Sequence, residues 1–117
     1  MIRLVQNFVS SQIDAIVLAP LDDRAMLSPV QQAAAQKIPV VIIDSGLKSD
    51  QYASFVATDN FKGGVMGGEH LGQLLGGKGK VILLRYQVGS ASTEEREAGF
   101  LEAMRKFPGI QIFSSDQ

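Results

Sequence analysis

The 117-residue chain contains no cysteine. That excludes thiol nucleophiles, cysteine-ligated zinc and disulfide frameworks, and it leaves the redox compartment undecided. Histidine occurs once, at His70, whose only close carboxylate is its neighbour Glu69. A histidine-based metal site is therefore excluded, and a surface or rim position is expected. An excess of one charge is also missing, since 11 basic side chains stand against 12 acidic ones for a net charge of -1. The basic residues are scattered, which argues against a nucleic-acid surface. No apolar run approaches the roughly 18 residues of a membrane span. The first residues lack the basic, apolar and small-residue order of a signal peptide.

Two apparent catalytic signals fail on inspection. Gly72, Gly77 and Lys78 begin a phosphate-loop pattern, but Gly79 stands where Ser or Thr is required, and the run leaves a helix and enters a strand, the reverse of a phosphate loop. It is read as a glycine helix stop. Ser92 has Glu94 and Glu95 beside it and no histidine nearby, so it forms no nucleophile and base pair. No cofactor and no metal site is expected.

What is present is an alternation of helical apolar spacing with short, nearly continuous apolar runs. Ile2, Val5, Val9 and Ile13 recur at steps of three and four, predicting a helix over residues 1–12. Residues 13–19 (IDAIVLA) form a nearly continuous apolar run closed by Pro20, Asp22 and Asp23, as suits a buried parallel strand. A second helix is expected to enter after Asp23 or at Ser28, with Pro29 in its first turn, and to run to Lys37. Residues 39–43 (PVVII) predict a strand ending at Asp44, Ser45 and Gly46, and residues 54–57 a short third strand. Thr58, Asp59 and Asn60 offer caps for a helix over residues 61–75 that Gly76 and Gly77 end. Residues 80–84 predict a fourth strand. The Ser92 to Glu95 spacing matches a capping box opening a helix with Phe100, Ala103, Met104 and Phe107 on one face. Residues 110–113 predict a fifth strand. Four helices and about five strands in alternation mean an α/β fold with a parallel sheet and flanking helices, a Rossmann-like three-layer arrangement. Each half repeats helix, strand, helix, strand, and the join falls near Thr58 to Asn60. The chain is expected to be a piece of a longer α/β protein.

Ligands of open parallel sheets bind beyond the carboxyl ends of the strands. Asp44 interrupts an apolar strand at such an end, so its carboxylate is expected to face the crevice with backbone N–H groups nearby; capping a turn is the alternative. Arg96 lies in the first turn of its helix, where a cation opposes the helix dipole by roughly 0.3–1 kcal/mol. Either Glu94 and Glu95 compensate it in a solvated cluster, or its planar fork serves a polar ligand. Asp22 and Asp23 are read as helix caps. The helix over 61–75 carries Gly63, Gly64, Gly67, Gly68 and Gly72, each costing about 0.5–1 kcal/mol relative to alanine. A close neighbour must compensate, and the sequence leaves open whether it belongs to the same chain. The glycine-lined helix and open sheet edges lead to an expected homo-oligomer.

The order IVLAPLDD, IPVVIIDSG, VATDNFKGG, GKVILLR and GSASTEEREAGF resembles the sugar-binding proteins of bacterial ABC importers, the ribose-binding-protein group of periplasmic binding proteins. The effector domains of lactose-repressor-type regulators share that fold. The resemblance covers essentially the whole chain, but only the middle of a protein more than twice as long. It implies two doubly wound lobes, with residues 1–57 in the first, residues 61–117 in the second and a hinge crossing at Thr58, Asp59 and Asn60. It implies sugar contacts at Asp44, Ser45 and Arg96. Ser45 stands where ribose binders commonly have arginine. The resemblance further implies binding without catalysis, a ribose-like monosaccharide ligand, a transporter permease as partner, and a periplasmic or extracellular location. The first strand and much of the second lobe are missing, so a complete closed site is not expected within one copy.

Overall fold

The computed structural model describes residues 1–115, and Ser115 by its backbone alone. Its elements are α1 (Ile2–Ser10), β1 (Ile16–Leu18), α2 (Leu27–Ala35), β2 (Val40–Ile43), β3 (Ser54–Val56), α3 (Asn60–Leu74), β4 (Lys78–Leu84), α4 (Ala91–Met104) and β5 (Gly109–Ser115). They follow the alternation read from hydrophobic period, and every strand pair is parallel. The halves form two sheets, one ordered β1-β2-β3 and one β4-β5. The chain divides into two compact units, residues 1–57 with 89–91, and residues 58–88 with 92–117.

In the first unit the strand faces differ sharply. Ile16 pairs with Val40 and Leu18 with Ile42, and all four are buried beneath Val5 and Val9 of α1, Met26 just before α2, and Val30 and Ala33 of α2. Helix spacing in α1 and strand alternation in β1 thus converge on one core. Val17, Ile43 and Val56 point to the opposite face and stay exposed, Val17 at 66%. Among the described residues the helices of this unit cover one face of its sheet.

The second unit answers the glycine question. A Cβ on Gly64 would stand 2.0 Å from the Arg96 carbonyl oxygen, and one on Gly99 would stand 2.0 Å from that of Phe61. The partner of the glycine helix is therefore α4 of the same chain, at backbone contact. Gly68 opposes Ala103 and Phe100, and Gly72 holds the ring of Phe107. The expected role of this stripe in self-association is thereby corrected: its buried glycines face α4, which leaves the sheet edges as the basis of that expectation. Lys106, two residues past α4, hydrogen-bonds Glu69 of α3, which raises the lysine's pKa above its ordinary value.

Local details depart from the sequence expectations in three places. Helix α4 begins at Ala91, so Ser92 falls inside its first turn and Ser90 occupies the capping position. Asp22 caps no helix: its carboxylate accepts from the backbone N–H groups of Arg24 and Ala25, each at 2.8 Å, closing a turn that precedes α2. Bonds to Ala25 and then Arg24 hold its carboxyl below the usual carboxylate range. Asp23 is buried, and its carboxylate pairs with Lys48 Nζ at 2.8 Å. The capping reading failed because these short-range donors outcompete the helix end. Of the three cap candidates for α3, Asp59 does the work, accepting from the Lys62 N–H at 2.9 Å. The glycine stop is as expected: Gly77 N–H bonds back to the Gly72 carbonyl at 2.9 Å and the chain enters β4.

Candidate functional site

Asp44 follows the last residue of β2, at the carboxyl end of the first unit's sheet. Its N–H continues the ladder by donating to the Val56 carbonyl at 3.0 Å, while Ser45 N–H turns back to Ile43 at 2.7 Å. The N–H groups of Asp44 and Ser45, expected to serve a ligand, are therefore spent within the chain, a correction that for Asp44 follows from the pairing of β2 with β3. What remains at the rim is the Asp44 carboxylate, which is exposed and makes no hydrogen bond or ion pair among the described residues. Ser45 is buried.

Asp44 also has φ +66, in the left-handed region. A side chain there carries a penalty of about 1 kcal/mol or more, which aspartate tolerates better than most residues because its short carboxylate can bond locally. Strain of this kind is a pointer to function when it is observed rather than assumed. Asp44→Ala should lower stability by about 1 kcal/mol, and Asp44→Gly should leave it unchanged within about 0.5 kcal/mol or raise it. Urea unfolding midpoints of the two variants decide this; equal midpoints would mean that the strained conformation is not kept in solution.

The second unit presents Arg96 beside the carboxyl end of β4, in the second turn of α4; the first-turn position expected from the sequence is corrected because the helix begins at Ala91. Its Nε–H donates to Asn60 Oδ1 at 2.8 Å. Asn60 is only 2% exposed, whereas Arg96 is exposed. Neither Glu94 nor Glu95 pairs with Arg96 among the described residues, so the solvated cluster weighed in the sequence does not form around it. Arg96 instead borders a cavity of about 320 Å³ lined also by Gly64, Leu83, Tyr86 and Phe100. Beside it Arg85, which follows β4, pairs with Glu97 at 3.5 Å.

The three residues named at the join have distinct positions. Thr58 opens the second unit, Asp59 caps α3, and Asn60 is the first residue of that helix. The segment 89–91 belongs to the first unit. Gly89, at φ +93, lies so close to Asp22 that a Cβ would meet its carboxylate at 2.4 Å, and the Gly89 carbonyl accepts from Asp23 N–H at 2.9 Å. Among the contacts the sequence reading missed are Asn60 with Arg96 and Asp23 with Lys48. Each joins residues far apart in the chain, and neither has a periodic signature. Among the described residues no group of three or more His, Cys, Asp and Glu could hold a metal, and no helix is long and apolar enough to cross a membrane.

Comparison with known proteins identifies the family. Residues 1–117 match the family model described as periplasmic binding protein domain. The chain is 34% identical over 96 residues to the ribose import binding protein of Bacillus subtilis, covering 82% of this chain and 32% of that protein. It is 30% identical over 118 residues to the galactofuranose-binding protein of Escherichia coli, covering 97% of this chain and 37% of the other. It also superposes on an ABC transporter solute binding protein from Agrobacterium vitis with bound D-fucose, at TM-score 0.90 and 36% identity, covering 96% of this chain and 40% of that one. The chain thus spans 32% and 37% of the two curated relatives.

Proposed function

This chain belongs to the periplasmic binding protein domain family, and from that membership we propose that it forms part of the solute-binding component of an ABC transport system for a monosaccharide. Asp44, Ser45 and Arg96 contact the sugar. Thr58, Asp59 and Asn60 form a hinge segment, and the whole protein works by binding and delivery to a permease outside the cytoplasmic membrane, without catalysis.

The observation that carries this reading is the pair of charged groups at the carboxyl-end rims. Asp44 offers only acceptors and Arg96 only donors, while each sugar hydroxyl both donates and accepts, so the two suit a polyol. Neither charge is neutralised by an ion pair among the described residues, so each is available to a ligand. The ligand named for the Agrobacterium vitis protein is D-fucose, and the names of the curated relatives point to ribose and galactofuranose. A neutral sugar of five or six carbons is therefore the class to test.

Calorimetric titration of D-ribose, D-arabinose, D-allose and D-fucose at millimolar concentration tests it. At least one sugar should give saturable heat that Asp44→Ala and Arg96→Ala each reduce by tenfold or more in affinity, as expected when a charge-assisted contact is lost. Heat unchanged in both variants, or no saturable heat with any sugar, counts against the proposal.

A further inference from the structure

We propose that Asn60 is a positioning residue for Arg96: its buried side-chain oxygen fixes the guanidinium by Nε, leaving the Nη1 and Nη2 edge to bridge two adjacent hydroxyl oxygens of a sugar. The inference rests on the sugar-binding reading of Arg96 and adds a residue to it.

The argument starts from what an exposed arginine would otherwise do. Its long side chain has many rotamers of similar energy, and fixing them on binding costs affinity. Here one of the five N–H donors is already bound, at 2.8 Å, by an acceptor that is itself 98% buried. The remaining four donors lie on Nη1 and Nη2, in the planar fork that matches paired oxygens.

The local fold explains why Asn60 can hold this post. Asp59 caps α3 by accepting from Lys62, which sets the direction of the first turn and hence of Asn60. Gly64 and Gly99 bring α3 and α4 to backbone contact beside the pair. An asparagine, neutral and short, can be buried at the helix start without introducing a second charge; a hydrophobic residue there would leave Arg96 held by nothing but packing. The acceptor is also specific to Nε. Binding at Nε leaves the Nη1 and Nη2 donors of this exposed residue for other acceptors.

The test separates this claim from the sugar-binding reading. In an arginine-selective nitrogen-15 spectrum of the 117-residue chain, the Arg96 ε N–H should exchange with water at least tenfold more slowly than that of Arg3, which is exposed on α1. Asn60→Leu should abolish that protection and Asn60→Asp should restore it. D-Ribose titrations then follow. Asn60→Leu should weaken binding about tenfold, Asn60→Asp should recover most of it, and Asn60→Leu should add nothing once Arg96 is alanine.

An unprotected Arg96 ε N–H in the unsubstituted chain overturns the proposal without requiring any variant to fold. So does sugar affinity that falls with Arg96→Ala but not with Asn60→Leu. If D-ribose binding is absent, or indifferent to Arg96→Ala, the sugar-binding reading fails; the protection experiment still decides whether Asn60 holds the guanidinium.

Discussion

Gly64→Ala should destabilise the second unit by about 3 kcal/mol, while Gly63→Ala, one residue away on the same helix, should stabilise it by about 0.5–1 kcal/mol. The opposite signs follow from what each new methyl would meet. At Gly64 it would stand 2.0 Å from the Arg96 carbonyl oxygen, a backbone atom with no rotamer to escape into, so α3 and α4 must move apart. At Gly63 nothing lies within 4 Å, so alanine brings its higher helix propensity and no collision. Gly99→Ala mirrors Gly64→Ala, because its methyl would meet the Phe61 carbonyl at the same distance. The double variant should cost less than the two single costs added, since the first substitution has already separated the helices. Urea unfolding followed by circular dichroism measures all four. A Gly64→Ala variant as stable as the parent chain would mean that the helices are not in backbone contact. Separation of the helices should also release the ε N–H of Arg96, connecting the packing of this unit to its rim.

Ile42→Ala is the second large effect, a loss of about 3 kcal/mol from the first unit, against less than about 0.5 kcal/mol for Val17→Ala. Both are aliphatic residues of adjacent parallel strands. Ile42 is fully buried between β1 and β3 and beneath the helices, so its truncation leaves a cavity. Val17 is 66% exposed on the opposite face, where removing its methyls forfeits little burial. Thermal or urea unfolding of the two variants reads the difference directly. Comparable losses would show that the Val17 face is covered in solution, by a second copy of the chain or by further sequence, instead of open to water.

These contrasts also show where sequence reasoning reaches. The order of helices and strands was legible because the apolar pattern changes visibly from helical spacing to unbroken runs: Val5 and Val9 on α1, then IVL of β1, then VVII of β2. Parallel pairing followed from that alternation. Asp44 could be singled out because it ends an apolar strand, and Arg96 because the sequence placed a cation in the first turn of a helix, although the start of α4 at Ala91 moves it to the second turn. The structure adds a third irregularity, the left-handed φ of Asp44, which no composition signals. Other features depend on tertiary proximity and left no local trace. The glycines of α3 announced a close neighbour, but only the fold names it as α4. Asp22 and Asp23 looked like helix caps because acids before a helix usually are; instead one closes a turn through backbone N–H groups and the other is buried with Lys48, a partner 25 positions along the chain. Asn60 read as one of three cap candidates, and the hydrogen bond that gives it a role spans 36 positions.

The central claim is that the acid and the guanidinium at the carboxyl-end rims are sugar contacts. The most direct measurement is a series of proton–nitrogen correlation spectra recorded while D-ribose is added to millimolar concentration. The account predicts saturable shifts at the amides of Asp44 and Ser45 and at the Arg96 side chain, with residues at the amino-terminal end of the first sheet, such as Gln12, Asp14 and Lys37, unmoved. Shifts gathered at those amino-terminal residues, or spread without saturation while Asp44 and Arg96 stay still, would contradict it.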